Sequence, residues 1–435
     1  MAGRAMRAYR LTGAVLALAA LCAGGARAQD TGYGCRDLAG GALPSVEGEA
    51  GQFYRIDPDL MTNHRIPDEM IARLARLSEV LEAGGTRLIF LPMPTKALAA
   101  PQHLPPVAAD LGFDPELAAT VHDGMLEAMR AAGIAVVDGR RALRQAGQAA
   151  PVFFGPDPRP NPDGQRALAM AAAERIAQTP GFGALPKTRF VTLTGAEQDL
   201  PSVMRFRLQQ QCRAELPPVR AIVSVSSLAP GAPQPGPGAR VVVIGSDMTG
   251  AAELNLAGFL QEALGLPAQM ITVPGGNALE AMTAYLTSRD FARDRPAYIV
   301  WENPVWQSLG QRGDQPLREL IAAAADTCRI ALPVAAGIGG QRLMADLSSL
   351  QPGGRYTLML DADSLSPGAA WFHFPAGADM VRSRSIHRGR DAPRSGRFFL
   401  PLDGLGALPP RVEVETDAPL GPQPRLMACP EEALQ

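Results

Sequence analysis

One short apolar run ends with a hydroxyl and a carboxylate side by side. Val241, Val242, Val243 and Ile244 are followed by Gly245-Ser246-Asp247. Four apolar residues with no polar break predict a strand buried on both faces. From Leu254, apolar residues return at helical spacing: Leu256, Phe259, Leu260, Ala263 and Leu264. Strand, small-residue turn and helix is how α/β enzymes present a nucleophile at the carboxyl end of a strand. Acyl transfer at such a turn needs a nucleophile, a base, a carboxylate to orient the base, and donors for the oxyanion. Ser246 and Asp247 are the two candidate nucleophiles. Neighbouring side chains at a strand end point in opposite directions, so only one of them can face a pocket. The base is harder to find. The chain has five histidines, and nothing in the sequence ties His64, His103, His122, His373 or His387 to this turn.

The elements that must position the turn alternate between strand and helix. A helix is expected over 67–83, with Met70, Ile71, Leu74, Leu77 and Leu81 on one face. Strands are expected at 87–91, 134–137, 152–154, 269–273 and 298–301. Further helices are expected at 114–132, 165–176, 201–211 and 316–325, the first opened by Asp114-Pro115 as N-cap and first-turn proline. This alternation predicts a mainly parallel sheet with helices on both faces. After Cys328 the pattern changes to short alternating runs between Gly, Pro and Asp turns, as in 356–360 and 371–374. That predicts an all-β sandwich. The expected division is an α/β domain over 29–326 and a β-sandwich over 327–435.

The first 28 residues read as a signal peptide: Arg4, Arg7 and Arg10, an apolar core from Leu11 to Leu21, and an Ala26-Arg27-Ala28 cleavage site. The core is short for a membrane span, and a lipoprotein reading through Cys22 is weakened by Leu21. The expected location is the periplasm, with no transmembrane segment in the mature chain. Cleavage leaves Cys35, Cys212, Cys328 and Cys429, an even number that favours disulfides in an exported protein. Of three possible pairings, Cys35 with Cys212 and Cys328 with Cys429 is preferred, because each pair brackets one expected domain. No C-x-x-C spacing supports zinc, and no metal or cofactor is expected. With 41 basic and 43 acidic residues, bulk charge names no partner, and nucleic acid is not expected.

The order and wording of five segments resemble the alginate O-acetyltransferase family, AlgX and AlgJ. They are GGTRLIFLPMPTK (84–96), FFGPDPRPNPDGQ (153–165), VVVIGSDMTG with LNLAGFLQEAL (241–264), Gly275-Gly276, and PAYIVWENP (296–304). The resemblance implies an SGNH-hydrolase-like α/β domain followed by a carbohydrate-binding β-sandwich, and it suits the two preferred disulfides. It also implies where catalytic residues belong. The family's Asp-x-His-Trp motif falls on Asp157-Pro158-Arg159-Pro160, so the aspartate is present and Arg159 replaces the histidine. The nucleophilic serine falls on Asp247, which leaves Ser246 as the alternative nucleophile. An arginine stays protonated and cannot act as a general base. A salt bridge between Arg159 and Asp247 is one expected replacement for the lost chemistry. Gly275 and Gly276 are the implied oxyanion donors, and Trp301-Glu302 lines either the cleft or the core.

In the β-domain, Arg382, Arg384, Arg388 and Arg390 are expected to present one positive strand face, with Trp371 or Phe374 as a stacking surface. The partner this suits is an anionic, alginate-like exopolysaccharide. The expected function is a catalytically degenerate member of exopolysaccharide O-acetylation that binds polymer or other periplasmic acetylation and export proteins. An active acetyltransferase or acetylesterase with an unconventional nucleophile is one alternative. A non-enzymatic assembly protein of the export machinery is the other.

Overall fold

The computed structural model describes residues 32–430 apart from 237, 312, 338, 376–379, 406 and 407. The expected signal peptide lies outside the described residues. Five parallel strands form the central sheet, in the order Ala135–Val136, Arg87–Met93, Tyr298–Pro304, Val241–Ile244 and Ala268–Ile271. Alternate side chains go to opposite faces. Phe90, Val242, Ile244, Ile299 and Trp301 join one apolar cluster; Leu91, Val241, Val243, Tyr298 and Val300 join the other. Helices cover both. Asp68–Ala83, Pro115–Ala131, Ala278–Leu286 and Gln315–Ala325 pack on the first face, and Pro162–Ala177 and Leu256–Leu264 on the second. The N-cap at Asp114 forms, its carboxylate accepting the Glu116 and Leu117 amides at 2.9 and 3.0 Å.

One local expectation fails, and one element was not expected. Residues 152–154 make no strand and hold only a bridge from Phe153 to Pro160, because prolines through this stretch remove the donors a ladder needs. An unexpected long hairpin pairs Phe190–Asp199 with Arg220–Leu228. Both of its faces are largely exposed, so it lacks the in-out alternation by which strands are recognised.

From Ile330 onward the described strands are antiparallel. A four-stranded sheet built around Tyr356–Asp361 and Arg425–Pro430 faces a five-stranded sheet built around Ala369–Pro375 and Arg411–Thr416. Leu358, Leu360, Phe372, Phe374, Val412, Val414 and Leu426 fill the space between them. The disulfides are Cys35–Cys212 and Cys328–Cys429, the preferred pairing. The two domains are fastened by charge. Arg388 of the sandwich meets Glu319 of helix Gln315–Ala325 at 2.6 Å, with both side chains almost fully buried.

Candidate functional site

The turn Gly245-Ser246-Asp247 lies at the carboxyl edge of the parallel sheet, above an ionisable group that the sequence left ambiguous. Ile244 pairs in register with Trp301, which puts Glu302 beside Gly245. Glu302 is fully buried. Its carboxyl oxygens accept the Ser246 amide at 2.7 Å, the Ser246 hydroxyl at 2.9 Å and the Thr249 hydroxyl at 2.8 Å. Desolvation pushes the Glu302 pKa up to about 7, against the three hydrogen bonds and with help from the nearby Asp247 charge. Gly245 is required here. A β-carbon on it would lie 2.6 Å from the Thr249 hydroxyl. Ser246 is thereby buried and bonded downward, and its hydroxyl also accepts the Met248 amide at 3.1 Å. It holds the turn together and does not face the cleft.

Asp247 points the other way and is exposed. The Gly275 amide donates to its carboxylate. Gly275 has a φ of 66°, a conformation that glycine adopts without strain. The Gly276 amide is turned away and donates to Val273 at 2.9 Å. Partial desolvation raises the Asp247 pKa, while the Gly275 amide and the Arg159 charge act to lower it.

Arg159 does not make the expected salt bridge with Asp247. Its ion-pair partner is Asp157: Nε meets Oδ1 at 2.7 Å, Nη2 meets Oδ2 at 2.9 Å, and the Arg159 amide donates to Oδ1 at 2.9 Å. The turn causes this, because the amide bond to Oδ1 folds the Arg159 side chain back over the carboxylate two residues earlier. Nη2 also donates to the Pro201 carbonyl at 2.7 Å. Beneath this loop lies Lys96, which the sequence reading left without a role. It is 1 % exposed and donates to the carbonyls of Phe154 at 2.6 Å, Gly155 at 2.7 Å and Asp157 at 3.3 Å. Burial pushes its pKa down to about 7, opposed by Asp59 and Asp157. Three carbonyl acceptors call for the three N–H donors of the charged ammonium.

Three of the five histidines are bonded elsewhere. His64 bonds the Pro58 carbonyl, His373 bonds Ser383 and His387 bonds Ser385. His122 is buried on helix Pro115–Ala131, and desolvation pushes its pKa down to about 4. Trp301 is core, stacked edge-on against Phe90 with centroids 5.5 Å apart.

In the sandwich, the expected positive strand face is not the one the protein presents. Arg382 pairs across the strands with Phe374, and Arg384 with Phe372, so both side chains leave the strand on the core-facing side, Arg382 reaching an exposed position and Arg384 a partly buried one. They close the open edge of the sandwich, Arg382 donating to the Leu405 carbonyl and Arg384 to those of Pro401 and Asp403. Arg388 is held by Glu319. Arg390 is exposed. Trp371 lies on the outer face, its ring edge-on to His387 with centroids 5.4 Å apart. Thr249 and Lys96 are the residues that sequence reasoning missed, and Glu302 is the one it left between cleft and core. Thr249 and Lys96 lie just after strands Val241–Ile244 and Arg87–Met93, and Glu302 lies within strand Tyr298–Pro304.

A parallel sheet with a strand-turn-helix at its carboxyl edge, followed by an antiparallel sandwich, defines an SGNH-hydrolase-like protein with an appended β-domain. Residues 46–305 match the family described as ALGX, the SGNH hydrolase-like domain of acetyltransferase AlgX, and the chain belongs to that family. It is 28 % identical over 298 residues to the alginate biosynthesis protein AlgX of Pseudomonas aeruginosa, covering 66 % of this chain and 61 % of that protein. It is 27 % identical over 253 residues to the probable alginate O-acetylase AlgJ of the same organism, covering 52 % and 60 %. The chain thus spans less than two thirds of the length of these relatives. The solved structure of P. aeruginosa AlgX superposes with a TM-score of 0.74 at 21 % identity, covering 89 % of this chain and 94 % of that one. This likeness shows the fold.

Proposed function

We propose that this protein works outside the cytoplasm in exopolysaccharide O-acetylation, as a polymer-binding member that does not itself transfer acetyl groups. One observation carries the reading: the Asp157-x-Arg159 turn is closed on itself. A carboxylate that would orient a general base instead holds a guanidinium through two side-chain hydrogen bonds, and arginine cannot accept a proton. Asp247 then stands at the nucleophile position with a backbone donor, Gly275, and no proton shuttle. The polymer class follows from the relatives, whose names place them in alginate biosynthesis. The two disulfides, the leader-like residues 1–28 and the lack of a membrane-spanning helix among the described residues support a periplasmic setting. In the sandwich, Arg382 and Arg390 are the expected polymer contacts at exposed positions, and Trp371 is partly buried on the outer face.

The test is hydrolysis of a chromogenic acetyl ester by the mature protein. Wild type is expected to be inert, and the double variant Arg159→His, Asp247→Ser to gain turnover. Wild-type turnover abolished by Asp247→Ala would overturn the reading and make Asp247 a working nucleophile. An inert wild type that also fails to bind any polysaccharide would leave an assembly role.

A further inference from the structure

A pocket of about 540 Å³ opens between the two domains, next to the Asp247 turn. One loop joins the two places. Gly275, whose amide serves Asp247, lies two residues before Asn277 on the pocket wall. Asn277 and Gln307 come from the α/β domain, while Ser385 and His387 come from strand Val381–His387 of the sandwich. Leu279 and Pro316 add apolar surface.

Two carboxamides in this pocket are oriented before any ligand arrives. Asn277 caps helix Ala278–Leu286, its Oδ1 accepting the Glu280 amide at 2.8 Å. The Gln307 Oε1 accepts the Ala278 amide at 3.4 Å. The Gln307 backbone is fixed in turn, its carbonyl accepting the Asn303 Nδ2 at 3.0 Å. Each side-chain oxygen is therefore engaged by the helix, and each NH2 group points away from that bond. Both residues sit at partly exposed positions. Neither nitrogen has an acceptor among the described residues, and neither is one of the buried unpartnered atoms. The pair presents donors to the pocket.

Open donors call for ligand oxygens. On an acetylated uronate, the oxygens that accept without donating include the carboxylate and the acetyl carbonyl. A carboxylate leaving water needs a cation. Among the described lining residues the one guanidinium is that of Arg388, and it is already bonded to both Glu319 oxygens. Glu280 on the same wall is not free either. An acetyl ester is neutral. Its carbonyl accepts, and its methyl group suits Leu279 and Pro316. We infer that this pocket recognises O-acetyl groups: it seats an acetylated sugar unit of the polymer, whose ester carbonyl takes N–H groups of Asn277 and Gln307. That choice of ligand rests on the polysaccharide reading above. It makes the protein a receptor for polymer that has already been acetylated, so the reaction supplying its ligand is an acyl transfer to a sugar hydroxyl.

Calorimetric titration of the mature full chain tests this with O-acetylated polymannuronate oligosaccharide, beside the same sample after mild alkaline deacetylation. Wild type is expected to bind the acetylated sample about 10-fold more tightly, as two neutral hydrogen bonds allow. Asn277→Ser keeps an oxygen for the helix cap, and Gln307→Glu keeps an acceptor for the Ala278 amide. Each removes an NH2 group, and together they should bring the two samples to equal affinity. Equal binding of both samples by wild type would overturn acetyl recognition while leaving the polysaccharide reading intact. A 10-fold preference that survives in the double variant would overturn the assignment to this pocket. Binding of neither sample would overturn the polysaccharide reading, and acetyl recognition with it.

Discussion

Arg388→Ala should unfasten the two domains. Arg388 and Glu319 have side chains 7 % and 3 % exposed and share hydrogen bonds of 2.9 and 2.6 Å. Arg388 also donates to the Arg397 carbonyl at 3.0 Å and stacks over Phe398. Truncation leaves the Glu319 carboxylate buried, with the Phe399 amide still donating to it at 3.1 Å. Removing one partner of a buried pair costs about 3–5 kcal/mol. Coulomb's law with an effective dielectric near 20 gives about 4 kcal/mol for charges 4 Å apart, which agrees. Scanning calorimetry should show the apparent Tm falling by roughly 4–6 °C, from an unfolding entropy of about 2.1 cal/mol/K per residue over a chain of this length. The double variant Arg388→Met, Glu319→Gln removes the stranded charge and keeps an acceptor for the Phe399 amide. It should recover most of the loss, a strong non-additivity for two residues in contact. A drop of less than about 1 kcal/mol in Arg388→Ala would refute the reasoning. The guanidinium would then be a solvated group, available to polymer as its sequence position first implied.

Three further outcomes follow. Glu302 has a folded pKa raised from 4.5 to about 7. Its contribution to stability is therefore full below pH 4.5, lost as pH rises through 7 and flat above, a change of about 3 kcal/mol. Glu302→Gln should flatten the difference between thermal midpoints at pH 5 and pH 8; an unchanged pH profile would show that Glu302 ionises normally. Lys96→Met should cost about 2–4 kcal/mol by stranding carbonyls of the 154–157 loop, read by urea denaturation, and midpoints equal to wild type would contradict that loss. Reducing the disulfides, which span sequence separations of 177 and 101 residues, should cost roughly 5 kcal/mol each by loop entropy. Serine variants of each pair, compared by calorimetry, would separate the two.

The α/β framework was legible because its signals are local. The run from Val241 to Ile244 is apolar throughout, and helix Pro115–Ala131 carries its own cap and proline. The hairpin Phe190–Asp199 with Arg220–Leu228 was not, because exposed strands lack the in-out alternation that marks one buried face. The arginines of Val381–His387 show a different limit. Alternation correctly placed Arg382 and Arg384 on one face of the strand, but which face is core depends on the neighbouring strand. The register with Phe372 and Phe374 puts them on the core-facing side, at the edge of the sandwich, and no spacing within the strand could reveal it.

The Asp247 site shows the same division between chemistry and geometry. Residue identity alone states that Arg159 cannot take a proton. It does not state what the arginine does instead, and charge complementarity across the cleft made Asp247 one candidate partner. The fold decides otherwise, because residues two apart on one turn meet before residues on separate elements do. An aspartate and a residue two positions on still share a hydrogen-bonded turn, with Lys96 bonded to the carbonyls beneath it. The loop is therefore kept in shape by groups that need no catalytic step. If that shape is what the loop retains, Asp157→Asn should disturb the Arg159 and Pro201 contacts yet leave ester hydrolysis at its inert baseline. Appearance of hydrolysis on freeing Arg159 would mean that the closed turn suppresses a reaction still present in the pocket.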